Sequence, residues 1–321
     1  MKERVLTGAM IFLAIIFAVM VREFSLYAFD AVVLVLMIGT SFESSSLFSK
    51  MGYYNNKKVV VAFPILLYAL CVNLILNKTS VLWSIIFFLL LLILTVLISF
   101  LLSIIFRNKT VNEIKTRNLK TSNKIFALNK GVHTLFSAIY PALGLVALVG
   151  LSRLHQIIDI TTLKNIAGNG VLKPELLGLF AIIIMLVVTV ATDVFSMLVG
   201  KTFGKRRLAP KISPNKTVAG FVGGIVFAIL FSIMTFVVLG AFESFDILFY
   251  QISLNFWKVI VLAFLGGLVC NAGDLFASSL KRKAQVKDTG SLLPGHGGLI
   301  DRFDSHTFNA VLIFLFLIII I

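Results

Sequence analysis

Residues 271–305 hold the residue types that phosphate and metal chemistry needs. The whole chain has only 14 Asp and Glu residues, and Asp274, Asp288, Asp301 and Asp304 all fall in this stretch. Beside them stand Lys281, Arg282, Lys283, Lys287 and Arg302, with Gly273, Gly290, Gly295, Gly297, Gly298, Pro294 and His296. Hard divalent cations such as magnesium take oxygen ligands, typically one or two carboxylates plus substrate phosphates. Lysine and arginine neutralise the remaining phosphate oxygens, and glycines let backbone N–H groups approach an anion. The plainer alternative is a set of solvated loop charges at a membrane surface. Against it, Asp274 follows the apolar run 259–270 almost at once. If the helix continues, Lys281 lies two turns on along the same face, and the pair makes a two-pole phosphate site.

Two other places carry unusual charge. Asp193 lies inside the apolar run 176–199, where an ionised carboxylate costs a few kcal/mol or more. Such a residue faces a polar cavity and has a function, or it packs as a neutral or snorkelling side chain. Ser196 is near it on the helix, and Lys201 and Lys205 follow in the next loop. Asp30 has no such cluster and reads as structural. Residues 203–220, FGKRRLAPKISPNKTVAG, form a basic loop punctuated by proline. The loop either sets membrane topology or binds a phosphate headgroup or nucleotide.

The elements that must position these groups are membrane helices. Of the 321 residues 59% are hydrophobic and 13% charged, whereas a soluble domain carries about a quarter charged residues. Mean hydropathy is +1.03. The net charge of +15 sits in short loops between apolar runs, which points to anionic lipid headgroups and away from nucleic acid. A span needs about 20 apolar residues. Candidate runs are 5–21, 27–42, 59–76, 81–106, 132–151, 176–199, 218–239, 254–270 and 307–321. The second and last are short enough to be tilted, re-entrant or interfacial. The fold class expected is therefore all-α and polytopic, with about nine transmembrane helices. The first run, after Lys2 and Arg4, resembles a signal peptide but lacks a clear cleavage site, so it is expected to be a retained span. Loops 107–130, 201–216 and 281–304 are basic, and each pair is separated by two spans. The positive-inside rule puts them and the N-terminus in the cytoplasm. Residues 1–130 read as an N-terminal multispan region, and 131–321 as the region carrying both motif loops. Cys71 and Cys270 lie in or beside apolar runs and read as packing residues.

The segment SSLKRKAQVKDTGSLLPGHGGLIDRFDS, 278–305, resembles the C-terminal signature of phosphatidate cytidylyltransferases, also called CDP-diacylglycerol synthases. The matching positions are Ser278, Lys281, Arg282, Lys287, Asp288, Pro294, His296, Gly297, Gly298, Asp301, Arg302 and Asp304. The basic loop at 203–220 resembles a second stretch of the same family, and the strong match covers roughly 193–305. The resemblance implies transfer of a cytidylyl group from CTP to phosphatidate in phospholipid biosynthesis, with magnesium required. It puts the metal on Asp274 and Asp301, and the site serine and lysine at Ser278 and Lys281. Three positions depart from the family: Ala277 stands where a glutamate is usual, Ala219 where glutamate or glutamine is common, and Met197 where an aromatic is common. Loss of the acid at 277 would weaken a second cation or lower turnover.

The expected chemistry is nucleotidyl transfer driven by positioning and electrostatics, since a phosphate nucleophile is already anionic and needs no general base. Lys281 and Arg282 are expected to meet the CTP phosphates. Asp288 and Asp304 would support the loop, and His296 would hydrogen-bond the loop or a phosphate. Lys287 and Arg302 join the substrate-binding set. Lys205, Lys211, Ser213 and Lys216, with Asp193, would hold the nucleotide or the lipid headgroup. Expected partners are CTP, phosphatidate and membrane lipid, with a second cation and a homodimer left open. The expected location is a bacterial cell membrane with the active site facing the cytoplasm. A secondary transporter would show internal symmetry and paired half-helices, and the sequence shows neither. A catalytically impaired relative that binds lipid or nucleotide is the other alternative.

Overall fold

The computed structural model describes residues 2–77, 81–106, 123–158, 173–292 and 297–320. Inside a bilayer no water can satisfy the backbone, so long apolar runs close their hydrogen bonds as helices. The elements are α1 (Lys2–Phe24), α2 (Leu26–Lys50), α3 (Lys57–Leu76), α4 (Val81–Ile105), α5 (Asn123–Ser152), α6 (Leu154–Ile157) and α7 (Glu175–Phe203). After them come β1 (Arg207–Ala209), β2 (Ser213–Thr217), α8 (Val218–Gly240), α9 (Glu243–Gln251), α10 (Phe256–Lys283) and α11 (Ile300–Ile320). Among the described residues, 8 helices are long and apolar enough to cross a membrane: α2, α3, α4, α5, α7, α8, α10 and α11. The chain is an all-α polytopic membrane protein, as its apolar runs predict. The first expected run, 5–21, falls within α1, much of which lies outside the described side chains. The basic stretch 107–122 also lies outside the described residues.

Two runs expected to be short are full-length helices. The run at 27–42 belongs to α2, which has 25 residues and continues to Lys50. Its last turns look like loop in the sequence because they are rich in serine. They stay helical because the hydroxyls find partners: Thr40 donates to the Leu36 carbonyl at 2.8 Å, and Ser44 to the Ser137 carbonyl at 2.7 Å. The run at 307–321 belongs to α11, which has 21 residues and begins at Ile300. The loop expected at 203–220 contains a two-stranded antiparallel hairpin, with Arg207 opposite Thr217 and Ala209 opposite Ser213.

The chain folds as two compact units, neither of them one continuous stretch. The first comprises Met1–Thr7, Ala31–Val146 and Leu280–Asp301. In it, Leu47, Leu280 and Ala284 form a small core joined by Met51, Tyr140 and Val286. Buried hydroxyls tie its helices, with Ser99 and Thr134 3.0 Å apart and the Asn56 amide donating to Thr134 at 2.8 Å.

The second unit comprises Gly8–Asp30, Ala147–Ser279 and Arg302–Ile321. Here α7 and α8 pack backbone to backbone. A methyl on Gly220 would sit 2.4 Å from the Ser196 carbonyl oxygen, and the rings of Phe195 and Phe227 stack at 3.9 Å. In α9, Phe249 packs against Phe180 at 5.0 Å and Phe236 at 4.8 Å. The Asn309 amide donates to Thr189 at 2.8 Å. Arg22 donates to the carbonyls of Ser152 and Glu175. Burial, followed by the nearby Arg22 charge, holds His155 below its ordinary value.

Asp30, which reads as structural in the sequence, sits in a buried ion pair with Arg153. Its carboxylate accepts from the Arg153 Nε at 3.0 Å, and the two side chains are 0% and 1% exposed. Arg153 also lies 4.8 Å from the centre of the Tyr27 ring. Asp30→Asn keeps the shape and leaves Arg153 without its countercharge. It should lower stability by about 3–5 kcal/mol, read as a fall in the detergent unfolding midpoint against Glu243→Gln, an exposed control.

Candidate active site

The signature segment begins with the end of a helix. α10 runs unbroken from Phe256 to Lys283, so Asp274 and Lys281 do share one helix. Its last turn carries Lys281, Arg282 and Lys283, cations that suit the negative end of a helix dipole. The helix stops at Gln285, whose φ is 56°. The Val286 amide reaches back to the Lys281 carbonyl at 3.0 Å, and the Gln285 amide to Arg282 at 3.1 Å. That is a Schellman closure, with Val286 packed beside Leu280 as the motif requires.

In the first unit this turn leads to a carboxylate cradle around Asp301. Asp301 Oδ2 accepts from the Thr289 amide at 2.8 Å, the Thr289 hydroxyl at 2.9 Å and the Gly298 amide at 2.9 Å. Asp301 Oδ1 accepts from Lys281 Nζ at 2.7 Å. Both side chains are largely buried, 3% exposed for Asp301 and 14% for Lys281. Glu43 lies beside them. It accepts from the amides of Leu299 and Ile300, both at 2.9 Å, and from the Thr289 hydroxyl at 3.2 Å. The free N–H groups at the start of α11 are thus met by carboxylates, the partners they favour. Arg282, Lys287 and Asp288 are exposed, and His296 lies outside the described residues.

In the second unit Asp274 has its own partners. It pairs with Lys216 at 2.7 Å and accepts from Ser278 at 3.3 Å. Lys216 is placed by the hairpin, whose last residue, Thr217, caps α8 by accepting from the Gly220 amide at 3.1 Å. Asp193 is exposed and accepts from Ser305 at 3.5 Å. Asp274, Asp304 and Lys216 are close enough to act on it electrostatically. Asp304 is buried and accepts from the Ser305 amide at 2.8 Å. Lys205, Lys211 and Arg302 are exposed, and Ser213 is partly buried. Ala277 is 1% exposed, so that position packs instead of lining an open space.

Among the described residues no three His, Cys, Asp or Glu side chains gather closely enough to hold a metal alone. The donor set still suits magnesium, which takes few carboxylates and completes its shell with phosphate and water. Asp301 Oδ1, with one described partner, keeps a lone pair for such a cation.

A helical membrane protein with carboxylate–lysine pairs and a glycine-lined anion cradle is the class these features define. Residues 2–320 match the family described as the cytidylyltransferase family, and the chain belongs to it. A phosphatidate cytidylyltransferase of Staphylococcus haemolyticus is 36% identical over 141 residues, 44% of this chain and 50% of that one. The protein of the same name from Bacillus subtilis is 41% identical over 131 residues, 41% of this chain and 45% of that one. The one from Helicobacter pylori is 43% identical over 134 residues, 42% and 46% of the two chains. The chain spans about half the length of the curated relatives it matches.

Sequence reasoning missed Glu43 and Thr289. Glu43 carried the same signal as Asp193, an acid against an apolar run, but fell one residue past the run drawn at 27–42. The glycines around the cradle give a sharp comparison. Gly297 has φ 83°, and a methyl there would meet Asp301 Oδ2 at 2.7 Å. Gly52 has φ 85° with open space around it. Gly52→Ala should cost only the left-handed backbone term, about 1–2 kcal/mol. Gly297→Ala should cost that and about 1–3 kcal/mol more, which paired thermal unfolding measures.

Proposed function

We propose that this chain transfers the cytidylyl group of CTP to phosphatidate, giving CDP-diacylglycerol and pyrophosphate. The observation that carries the proposal is the Lys281–Asp301 pair at 2.7 Å inside its glycine cradle. It is supported by family membership and by the name shared by the similar bacterial proteins.

In the reaction a phosphate oxygen of phosphatidate attacks the α-phosphorus of CTP. The new P–O bond forms as the bond from the α-phosphorus to the bridging oxygen breaks, and the electron pair leaves with pyrophosphate. The nucleophile is anionic near neutral pH, so no residue has to remove a proton. The barrier is repulsion between anions together with charge on the leaving group, which fixed cations reduce. Lys281, held and oriented by Asp301, and Arg282 meet the CTP phosphates. Lys216, Lys205, Lys211 and Ser213 hold the nucleotide or the lipid headgroup, with Asp193 setting the polarity beside them. Lys287, Arg302 and His296 complete the substrate contacts, and Asp288 and Asp304 support the segment. Asp274 and Asp301 would hold magnesium, which supplies positive charge to the phosphates when bound. The basic loops support a reaction on the cytoplasmic side of a bacterial membrane, where CTP is found.

Purified protein in detergent with phosphatidate, CTP and magnesium should release pyrophosphate. Asp301→Asn should lower kcat by a factor on the order of 100 or more while the protein still inserts and folds. Near wild-type turnover in that variant would remove Asp301 from the reaction. CTP binding without turnover in the unchanged protein would support a binding relative in place of an enzyme.

A further inference from the structure

We propose that Glu43 is a positioning residue for the signature segment, acting through Thr289 on Asp301 and so on Lys281. The proposal rests on the cytidylyl-transfer function given above. It adds a residue from the N-terminal membrane region, far from the motif in sequence.

Glu43 is 7% exposed on α2, and a buried carboxylate is tolerated only when donors meet it. Among the described residues no basic side chain forms an ion pair with it. Its charge is met by the Leu299 and Ile300 amides at 2.9 Å each and the Thr289 hydroxyl at 3.2 Å. It therefore works as a cap built from another helix, fixing where α11 begins.

The backbone around it is shaped to this carboxylate. A methyl on Gly298 would lie 2.4 Å from Glu43 Oε2, and one on Gly290 would lie 2.6 Å from Oε1. One turn earlier on α2, a methyl on Gly39 would lie 2.6 Å from Leu299 Cδ1. Three glycines thus leave the room in which α2 and the loop approach.

Thr289 makes the connection. Its hydroxyl lies 3.2 Å from Glu43 Oε2 and 2.9 Å from Asp301 Oδ2. A hydroxyl has one proton and donates to one acceptor at a time. Glu43 therefore competes for one of the three donors that hold Asp301 Oδ2, and Asp301 in turn orients the Lys281 ammonium at 2.7 Å. Disturbing Glu43 shifts the Lys281 ammonium without removing any group that touches substrate.

Glu43→Gln keeps the shape and replaces one acceptor with a donor facing backbone N–H. Turnover per folded molecule should fall roughly tenfold, with the magnesium needed for half-maximal rate raised and the phosphatidate KM unchanged. Glu43→Ala should lose more, while the exposed control Glu243→Gln should match wild type. Coupling through Thr289 is read by a double-mutant cycle. Glu43→Gln with Thr289→Val should lose little more than the worse single variant, and losses that multiply would overturn the proposal. A purely structural role would lower the unfolding midpoint and leave kcat and the magnesium dependence of the folded fraction unchanged, which also overturns it. If the unchanged protein releases no pyrophosphate, the function above fails and hydrogen exchange decides here. The Leu299 and Ile300 amides should exchange at least about tenfold faster in Glu43→Gln, and unchanged protection would sink the proposal.

Discussion

A carboxylate inside a membrane protein has to be met by donors, and the first unit is arranged around meeting two of them. Glu43 takes the amides of Leu299 and Ile300, Asp301 takes the amides of Thr289 and Gly298 and the Lys281 ammonium, and the Thr289 hydroxyl lies between the two. An unpaired buried charge costs several kcal/mol, so the position of every donor is constrained. Gly290, Gly297 and Gly298 follow from that constraint, because a side chain at any of them would strike a carboxylate or its support. So does the Schellman turn at Gln285, which releases the chain from α10 and leads it into Thr289.

The second unit solves a related problem with fewer backbone donors. Asp274 takes a lysine from a β-hairpin, and the hairpin is held by the close packing of the helices on either side of it. Thr217 illustrates the economy. Its hydroxyl caps α8, while the residue before it sends its ammonium to Asp274. The glycines of α8 allow that hairpin to close, since a methyl at Gly220 would meet both the Ser196 carbonyl and the Thr217 hydroxyl.

Much of this was legible in the sequence, and for physical reasons. Long apolar runs have one solution in lipid, so the helical class and most helix positions followed from composition. Asp274, Lys281 and Asp301 stood out as charged groups among glycines, and the structure shows Lys281 paired with Asp301. Helix ends were less legible. The polar tail of α2 looked like a loop because its serines and Glu43 find their partners in segments distant in the chain, which no local pattern records. Thr289 was invisible for the same reason, because its role exists only once Asp301 and Glu43 are beside it. The hairpin at 207–217 was hidden by a composition that fits any basic loop.

The lysine–carboxylate pairs also bear on the order of events in the proposed reaction. Lys281–Asp301 in one unit and Lys216–Asp274 in the other each neutralise themselves internally. A polyphosphate that drew the lysine toward its own oxygens would leave a carboxylate oxygen without its donor, which is costly at Asp301, 3% exposed, and less so at Asp274, 33% exposed. A divalent cation would be the natural replacement. In the proposed reaction nucleotide and metal would then bind more favourably together than either alone, because the cation would offset the penalty left when the lysine is drawn away. A protein that held the metal tightly by itself would keep its carboxylates satisfied whether or not substrate was there.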